Sequence, residues 1–314
     1  MKMELGKANL DVFAETLLEL ARQDRDILVL TSDSRGSARL GHFGELLPQQ
    51  LIEIGIAEQN LVGIAAGLAS AGKKVFAVSP ACFLTARALE QIKNDVAYAD
   101  YPVKLVGISA GVSYGALGST HHSLHDFAVL RAINNIDIVA PADNFETREA
   151  VWAAARHSRP IYLRFGKRPM FDLHSPDADF RIGKGSTLRE GTDLTFLATG
   201  ETVYPALSAG LELEDRGISC RVISMHTLKP LDVECLLNAA GATHGLITVE
   251  EHSINGGLGE ACAAVLAQKR ISLPFRIVGI PDEATVNGSQ LEIFNHYGIS
   301  TKGLVETALQ ILSS

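Results

Sequence analysis

The residue best placed to do chemistry is Glu58, in the stretch EIGIAEQNLVGIAAGLASAG at residues 53–72. A short apolar run, Leu51–Ile54, reads as a buried strand that stops at Gly55, and Glu58 then opens a helix. Free N–H groups at a helix start favour negative charge, so an acid there is ordinary. Its surroundings are not, because Ile56, Ala57, Leu61, Val62, Ile64, Ala65 and Leu68 leave the helix almost no polar face. A carboxyl in such company must find a partner or take a proton. Two readings follow: an N-terminal cap, or an acid held for proton transfer. Gly63 and Gly67 lie four apart on one helix face beside Ala66 and Ser70, which lets another backbone come close and suits a site formed at an interface.

Further polar groups follow other apolar runs. TSDSRGS carries Asp33, Ser34, Arg35 and Ser37. SPACFLTARALEQIKN sets Phe83 just before a helix, and RFGKR brings Arg164, Lys167 and Arg168. GVSYGALGSTHHSLHDFAVLR holds His121, His122 and His125, whose spacing hints at a metal, yet no cysteine or acid beyond Asp126 frames them. Asp126 and Arg131 read as a helix cap and a surface or interface charge. In VEEHSINGGLGEA the glycine spacing is not a dinucleotide fingerprint, and a structural turn is expected, with His244 and His252 as ordinary loop or core histidines.

These segments need a scaffold. Apolar runs at Ile27–Leu30, Leu51–Ile54, Val75–Val78, Val103–Ile108, Ile136–Ala140 and Ile161–Phe165 alternate with helix-length segments near 9–22, 57–71, 84–99, 124–133 and 144–157. Short continuous apolar strands between helices predict an α/β fold with a parallel sheet covered on both faces. Sites in such sheets gather at the carboxyl ends of the strands. The pattern breaks from Gly166 to about Thr192 and then resumes with strands Leu194–Ala198, Cys220–Ser224, Leu246–Val249 and Phe275–Ile280, and helices near 202–215, 232–240, 258–269 and 300–312. Two α/β domains are expected, at 1–170 and 192–314, with a linker at 171–191.

Bulk properties narrow the class. Across 314 residues, 46% are hydrophobic and 20% charged, as in an ordinary globular chain. Net charge is −8 with no long basic run, which argues against nucleic acid as a partner. No signal-type core or membrane-length apolar stretch is present, and the four cysteines have no CxxC spacing, so the cytoplasm is the expected compartment.

IAEQN after a strand, followed by a Gly/Ala-rich helix, resembles the pyrimidine-binding domain of transketolases. The resemblance covers nearly the whole chain and implies thiamine diphosphate as cofactor. It makes Glu58 the acid that shares a proton with the aminopyrimidine ring and favours the imino tautomer, whose nitrogen deprotonates the thiazolium carbon. It further implies Phe83 as the stacking ring, Asp33 near the thiazolium end, and His121 hydrogen-bonding cofactor or sugar. Ser37 and Arg164 fall at the sugar phosphate; Lys167 and Arg168 either add positive potential there or are solvated linker charges. The Gly-rich turn of the second domain is mainly structural in the family and helps subunits meet.

Full-length members also carry an N-terminal domain with a GDG motif that binds the diphosphate and Mg2+. No GDG occurs here. The chain therefore looks like the second half of a split transketolase, moving a two-carbon ketol unit between phosphorylated sugars. It is expected to need a partner subunit holding the diphosphate and Mg2+, in a heterotetramer.

Several positions depart from the family pattern. Pro80 stands where a second phenylalanine is usual, Leu117 replaces an acid, Ser109 a histidine and Leu10 an arginine. Pro80 alters the stacking side of the pocket, while Leu117, Ser109 and Leu10 point to an altered acceptor end and a different sugar. The competing expectations are the β subunit of a 2-oxo acid dehydrogenase, deoxyxylulose-phosphate synthase, normally one chain, and a non-catalytic subunit that kept the fold.

Overall fold

The computed structural model describes residues 3–175 and 177–313; Met1, Lys2, Pro176 in the expected linker, and Ser314 lie outside the described residues. The first half runs β1 (Leu5–Ala8), α1 (Asn9–Gln23), β2 (Ile27–Thr31), α2 (Gly41–Leu46), β3 (Leu51–Glu53), α3 (Glu58–Ser70), β4 (Lys74–Pro80) and α4 (Ala81–Arg87). It continues through α5 (Leu89–Gln91), a π-helical turn (Ile92–Tyr98), β5 (Lys104–Ile108), α6 (Asp126–Ala132), β6 (Asp137–Val139), α7 (Asn144–Arg156) and β7 (Ile161–Arg164). Beyond β8 (Pro169–Phe171) come β9 (Ser186–Arg189), β10 (Leu194–Ala198), α8 (Val203–Glu214), β11 (Cys220–Ser224), β12 (Thr227–Lys229) and α9 (Val233–Ala242). The chain ends with β13 (Leu246–Ser253), α10 (Leu258–Gln268), β14 (Phe275–Ile280), α11 (Gln290–His296) and α12 (Thr301–Leu312).

The first sheet has the order β12-β6-β7-β5-β4-β2-β3, the second β14-β13-β10-β11-β9. Strands β2 to β7 pair in parallel, so their carboxyl ends share one edge. Side chains alternate across this sheet. Phe76 and Val78 face α1 and α7 with Phe13 and Leu17, whereas Val75 and Ala77 face α3 and α6 with Leu61, Val62 and Leu130. Helix α7 starts where expected, because the Asp143 carboxylate accepts the Glu146 N–H at 2.8 Å.

The two halves are not separate bodies. Strand β12 comes from the second half yet pairs antiparallel with β6 of the first sheet. One apolar cluster runs from Leu61 and Leu130 through Met225 and Leu236 to Leu258.

Three expectations need correction. The segment 166–192 is not a bare linker: β8 pairs with β1, and β9 adds to the second sheet beside β11. The single helix expected at 84–99 is broken into α4, α5 and the π-helical turn. The short pieces β1, β12, α2 and α11 were absent from the sequence pattern. All four cysteines are free thiols. Among the described residues no helix is long and apolar enough to cross a membrane.

Candidate active site

The loops after β2, β3, β4 and β5 bring the chemistry to one edge. Glu58 is the first residue of α3 and is only 3% exposed. Its two carboxylate oxygens accept from Arg87 Nη1 at 3.1 and 3.2 Å. The Arg87 side chain, 50% exposed, lies with its guanidinium carbon 4.2 Å from the centroid of Phe83, one helical turn earlier on α4. Ile56, Ala57, Glu58, Gln59, Asn60 and Arg87 line an open recess.

Aromatic contacts extend the wall. His121 meets Phe83 edge-on at 5.4 Å and Tyr114 edge-on at 5.3 Å. Lys167 Nζ stands 4.5 Å over the Tyr114 ring. The Thr120 hydroxyl bonds His121 Nδ1 at 2.9 Å, which leaves Nε2 without a partner among the hydrogen bonds of the described residues.

The loop after β2 is fixed by a different acid. Glu53 accepts the Asp33 N–H at 2.6 Å, the Gly55 N–H at 3.0 Å and the Thr31 hydroxyl at 2.7 Å. Burial works against charge on Glu53, yet these donors hold its carboxyl below the usual range. Ser32 and Ser79 hydroxyls meet at 2.7 Å and tie the ends of β2 and β4 together. Asp33 and Ser109, each the start of a loop at this edge, take φ of 54°. Side chains rarely adopt that region, and such strain collects at ligand-binding loops.

The structure sets Phe83 against His121 and joins Glu58 to Phe83 through Arg87. Asp33 and Ser37 lie on the same strand edge but touch none of these residues through a hydrogen bond or ring contact; both are exposed, and Ser37 donates to Ser34 O at 3.0 Å. The histidines diverge, with His122 on Gly115 O and His125 on Thr85. Among the described residues no group of three or more His, Cys, Asp or Glu is placed to hold a metal ion.

Arg164 departs from its expected role. It is buried, its Nε 2.8 Å from Asp126 and its Nη2 on the carbonyls of Ser123 (3.3 Å) and Glu251 (2.8 Å), with its guanidinium over Phe127. A guanidinium spent this way is a joint between the halves of the chain rather than an open phosphate hook. Asp126 is likewise no simple cap: it is fully buried and also accepts the Tyr162 hydroxyl at 2.9 Å. Burial opposes its charge, but Arg164 and the neighbouring His252 hold its carboxyl below the usual value. Arg131 donates to the carbonyls of Gly256 and Gly257, so the Gly-rich turn and α6 are clasped together. His252 is a core residue stacked on Phe127 at 5.0 Å, and His244 is exposed. Leu10 packs in the core with Phe13 and Leu17, so it forms no part of the site wall, whereas Leu117 is exposed in the loop before His121.

Sequence reasoning passed over Arg87, Tyr114 and Glu53. The one available signal was Phe83 and Arg87 at i and i+4, which places both on one face of α4.

A parallel sheet with a buried acid and an aromatic ring at its carboxyl edge, joined to a second α/β unit, defines a class that the comparisons make specific. The transketolase pyrimidine-binding domain matches residues 6–170 and the transketolase C-terminal domain residues 183–304, so the chain belongs to the transketolase family. Within it, the chain corresponds to the C-terminal half of a split enzyme. It is 52% identical to one of the subunits of apulose-4-phosphate transketolase from Phocaeicola vulgatus, covering 96% of each chain. It is 36% identical to a 6-deoxy-6-sulfo-D-fructose transketolase subunit from a Clostridium species, over 96% of this chain and 93% of that one. A solved split-gene transketolase, an inactive beta4 tetramer, superposes with a TM-score of 0.88 at 35% identity, covering 98% of this chain and 99% of that chain.

Proposed function

We propose that this chain is the pyrimidine-binding subunit of a two-component, thiamine diphosphate-dependent transketolase that moves a two-carbon ketol unit between phosphorylated sugars. The observation that carries this reading is Glu58, a carboxylate buried at a helix start yet lining an open recess with Arg87, whose guanidinium lies over the ring of Phe83. These residues fit an aminopyrimidine. The acid offers its oxygens to a ring nitrogen, and Phe83 offers a flat apolar face. When bound, the cofactor supplies the carbon nucleophile that takes up and passes on the ketol unit. Glu58 shares a proton with the pyrimidine ring nitrogen, Phe83 covers the ring and keeps water away, and His121 turns its unengaged Nε2 to a sugar hydroxyl.

Asp33 and Ser37 border the same edge, and we assign them the thiazolium end and the sugar end of the cleft. Arg164 is not assigned to the phosphate. Magnesium and the diphosphate belong to a partner subunit of the N-terminal type, in a heterotetramer working in the cytoplasm. The relatives' names point to unusual sugars, and so do exposed Leu117 and buried Ser109 at positions where the family carries an acid and a histidine. A ketose phosphate of the apulose 4-phosphate kind is the substrate to assay first.

The test is reconstitution with a subunit carrying the GDG motif. The mixture should bind thiamine diphosphate and exchange deuterium at the thiazolium carbon, and Glu58→Ala should abolish that exchange while the subunits still assemble. Exchange that survives the substitution would refute the role of Glu58. Kinetics strongly favouring xylulose 5-phosphate and ribose 5-phosphate would remove the unusual sugar.

A further inference from the structure

The Glu58–Arg87 pair occupies the two surfaces that an aminopyrimidine needs. Arg87 bonds both carboxylate oxygens of Glu58 and lies across the face of Phe83. A guanidinium is flat, carries N–H donors along its edge and stacks on aromatic rings. It therefore resembles the ring that the proposed function puts in the same place. We infer that Arg87 is a stand-in for the coenzyme's pyrimidine ring, holding Glu58 and Phe83 in order while the site is empty and swinging out as the ring arrives.

Elementary energetics favour such a device. A carboxylate that is 3% exposed cannot be left alone without a large penalty, so something must hold it before loading. Among the described residues, Arg87 is the only side chain hydrogen-bonded to the Glu58 carboxylate, and Glu58 the only carboxylate in ion-pair reach of Arg87. The arginine is already half in water, so its release exposes little more charge and costs little. The spacing on α4 matters as well, since Phe83 and Arg87 sit one turn apart and the guanidinium folds back over the ring. Arg87 is thus a positioning residue whose ion pair competes with the coenzyme. An arginine that stayed on Glu58 and shared it with the ring would strengthen binding instead, so the sign of the effect decides between the two.

This inference rests on the proposed function, and the experiment separates them. The reconstituted two-subunit enzyme is titrated with thiamine diphosphate and Mg2+ by calorimetry, and loading is followed by protein fluorescence. Arg87→Gln should bind the coenzyme tighter by roughly three- to tenfold and load faster, the size expected for loss of a partly exposed ion pair. Arg87→Lys keeps the charge but not the flat fork, and should fall between wild type and Arg87→Gln. In the isolated chain Arg87→Gln should also lower the unfolding midpoint, so affinity and stability move in opposite directions. An arginine with a merely structural role would lower both. In a Glu58→Gln background the Arg87 substitution should change coenzyme affinity by less than twofold. Unchanged or weaker binding by Arg87→Gln, with wild type binding normally, overturns the stand-in alone. Failure of the wild-type assembly to bind thiamine diphosphate overturns the functional reading and the stand-in with it.

Discussion

Two carboxylate–guanidinium pairs in this chain have the same chemistry and different fates. Asp126 and Arg164, 2.8 Å apart, are sealed, with side chains 0% and 5% exposed. Every neighbour they need is supplied by the chain: Tyr162, the carbonyls of Ser123 and Glu251, and the ring of Phe127. Glu58 and Arg87 sit at the edge of a recess, and only the acid is buried. A closed network fixes one geometry and is costly to break. An open pair leaves its acid available to a ligand. The difference teaches that a buried charge is not by itself open to a ligand, whereas a buried acid at the edge of a recess is.

The strongest way to break this contrast is at the open pair. Glu58→Ala should cost about 10²- to 10⁴-fold in turnover of the reconstituted enzyme, as expected for a group engaged in proton transfer. Steady-state rates with a ketose phosphate, alongside subunit assembly by gel filtration, would check it. Loss of assembly together with activity would mean that Glu58 is structural after all. The sealed pair should behave in the opposite way. Arg164→Met strands Asp126 without its cation and should lower unfolding free energy by about 3–5 kcal/mol, read from urea melts of the isolated chain. A shift below about 1 kcal/mol would show that the joint tolerates solvent and is not sealed.

How much of this was legible beforehand follows the same division. Runs such as Leu194–Ala198 and Phe275–Ile280 announced buried strands because the local pattern alone dictates them. Strands β1, β8 and β12 have three or four residues each, and their existence depends on partners far along the chain, so no local pattern marks them. The break in the helix after Arg87 carries no proline to announce it. Glu58 stood out as an acid among apolar neighbours. Arg164 was misplaced because nothing local shows that its guanidinium meets Asp126, 38 residues earlier, and the carbonyl of Glu251, 87 residues later.

The joint should also respond to pH. Burial pushes the Glu250 carboxyl up to about 7. Burial and the neighbouring Glu201 push Glu251 up as well, against the pull of Arg164. A raised carboxyl means the folded chain binds more protons than the unfolded one, so stability falls as pH climbs from the ordinary carboxylate range through the folded value. His252 works the other way, because burial lowers it to about 4, and its contribution grows between that value and the unfolded histidine range. Above about pH 6.5 the histidine term is spent and the acids dominate. The unfolding midpoint should therefore fall between about pH 6.5 and 8, and Glu146, which burial pushes up to about 7, adds to the same fall. Glu251→Gln should flatten that slope; an unchanged slope would place the titrating acid elsewhere.

The smallest effect tests whether the open side is open only in isolation. An added Cβ at Gly67 on α3 would meet nothing within 4 Å. Alanine in a helix interior is more favourable than glycine by roughly 0.5–1 kcal/mol, so Gly67→Ala should slightly stabilise the separate chain. If this face is covered by a second backbone in the assembled enzyme, the same methyl must push the subunits apart and weaken association. Melting of the isolated chain and sedimentation of the mixture measure the two effects independently. A variant more stable alone and looser in assembly would show that the Glu58 side of the molecule is left unfinished for a partner, as the Arg164 side is not. Stability gained with association unchanged would put the subunit contact on another face of α3 or off it altogether.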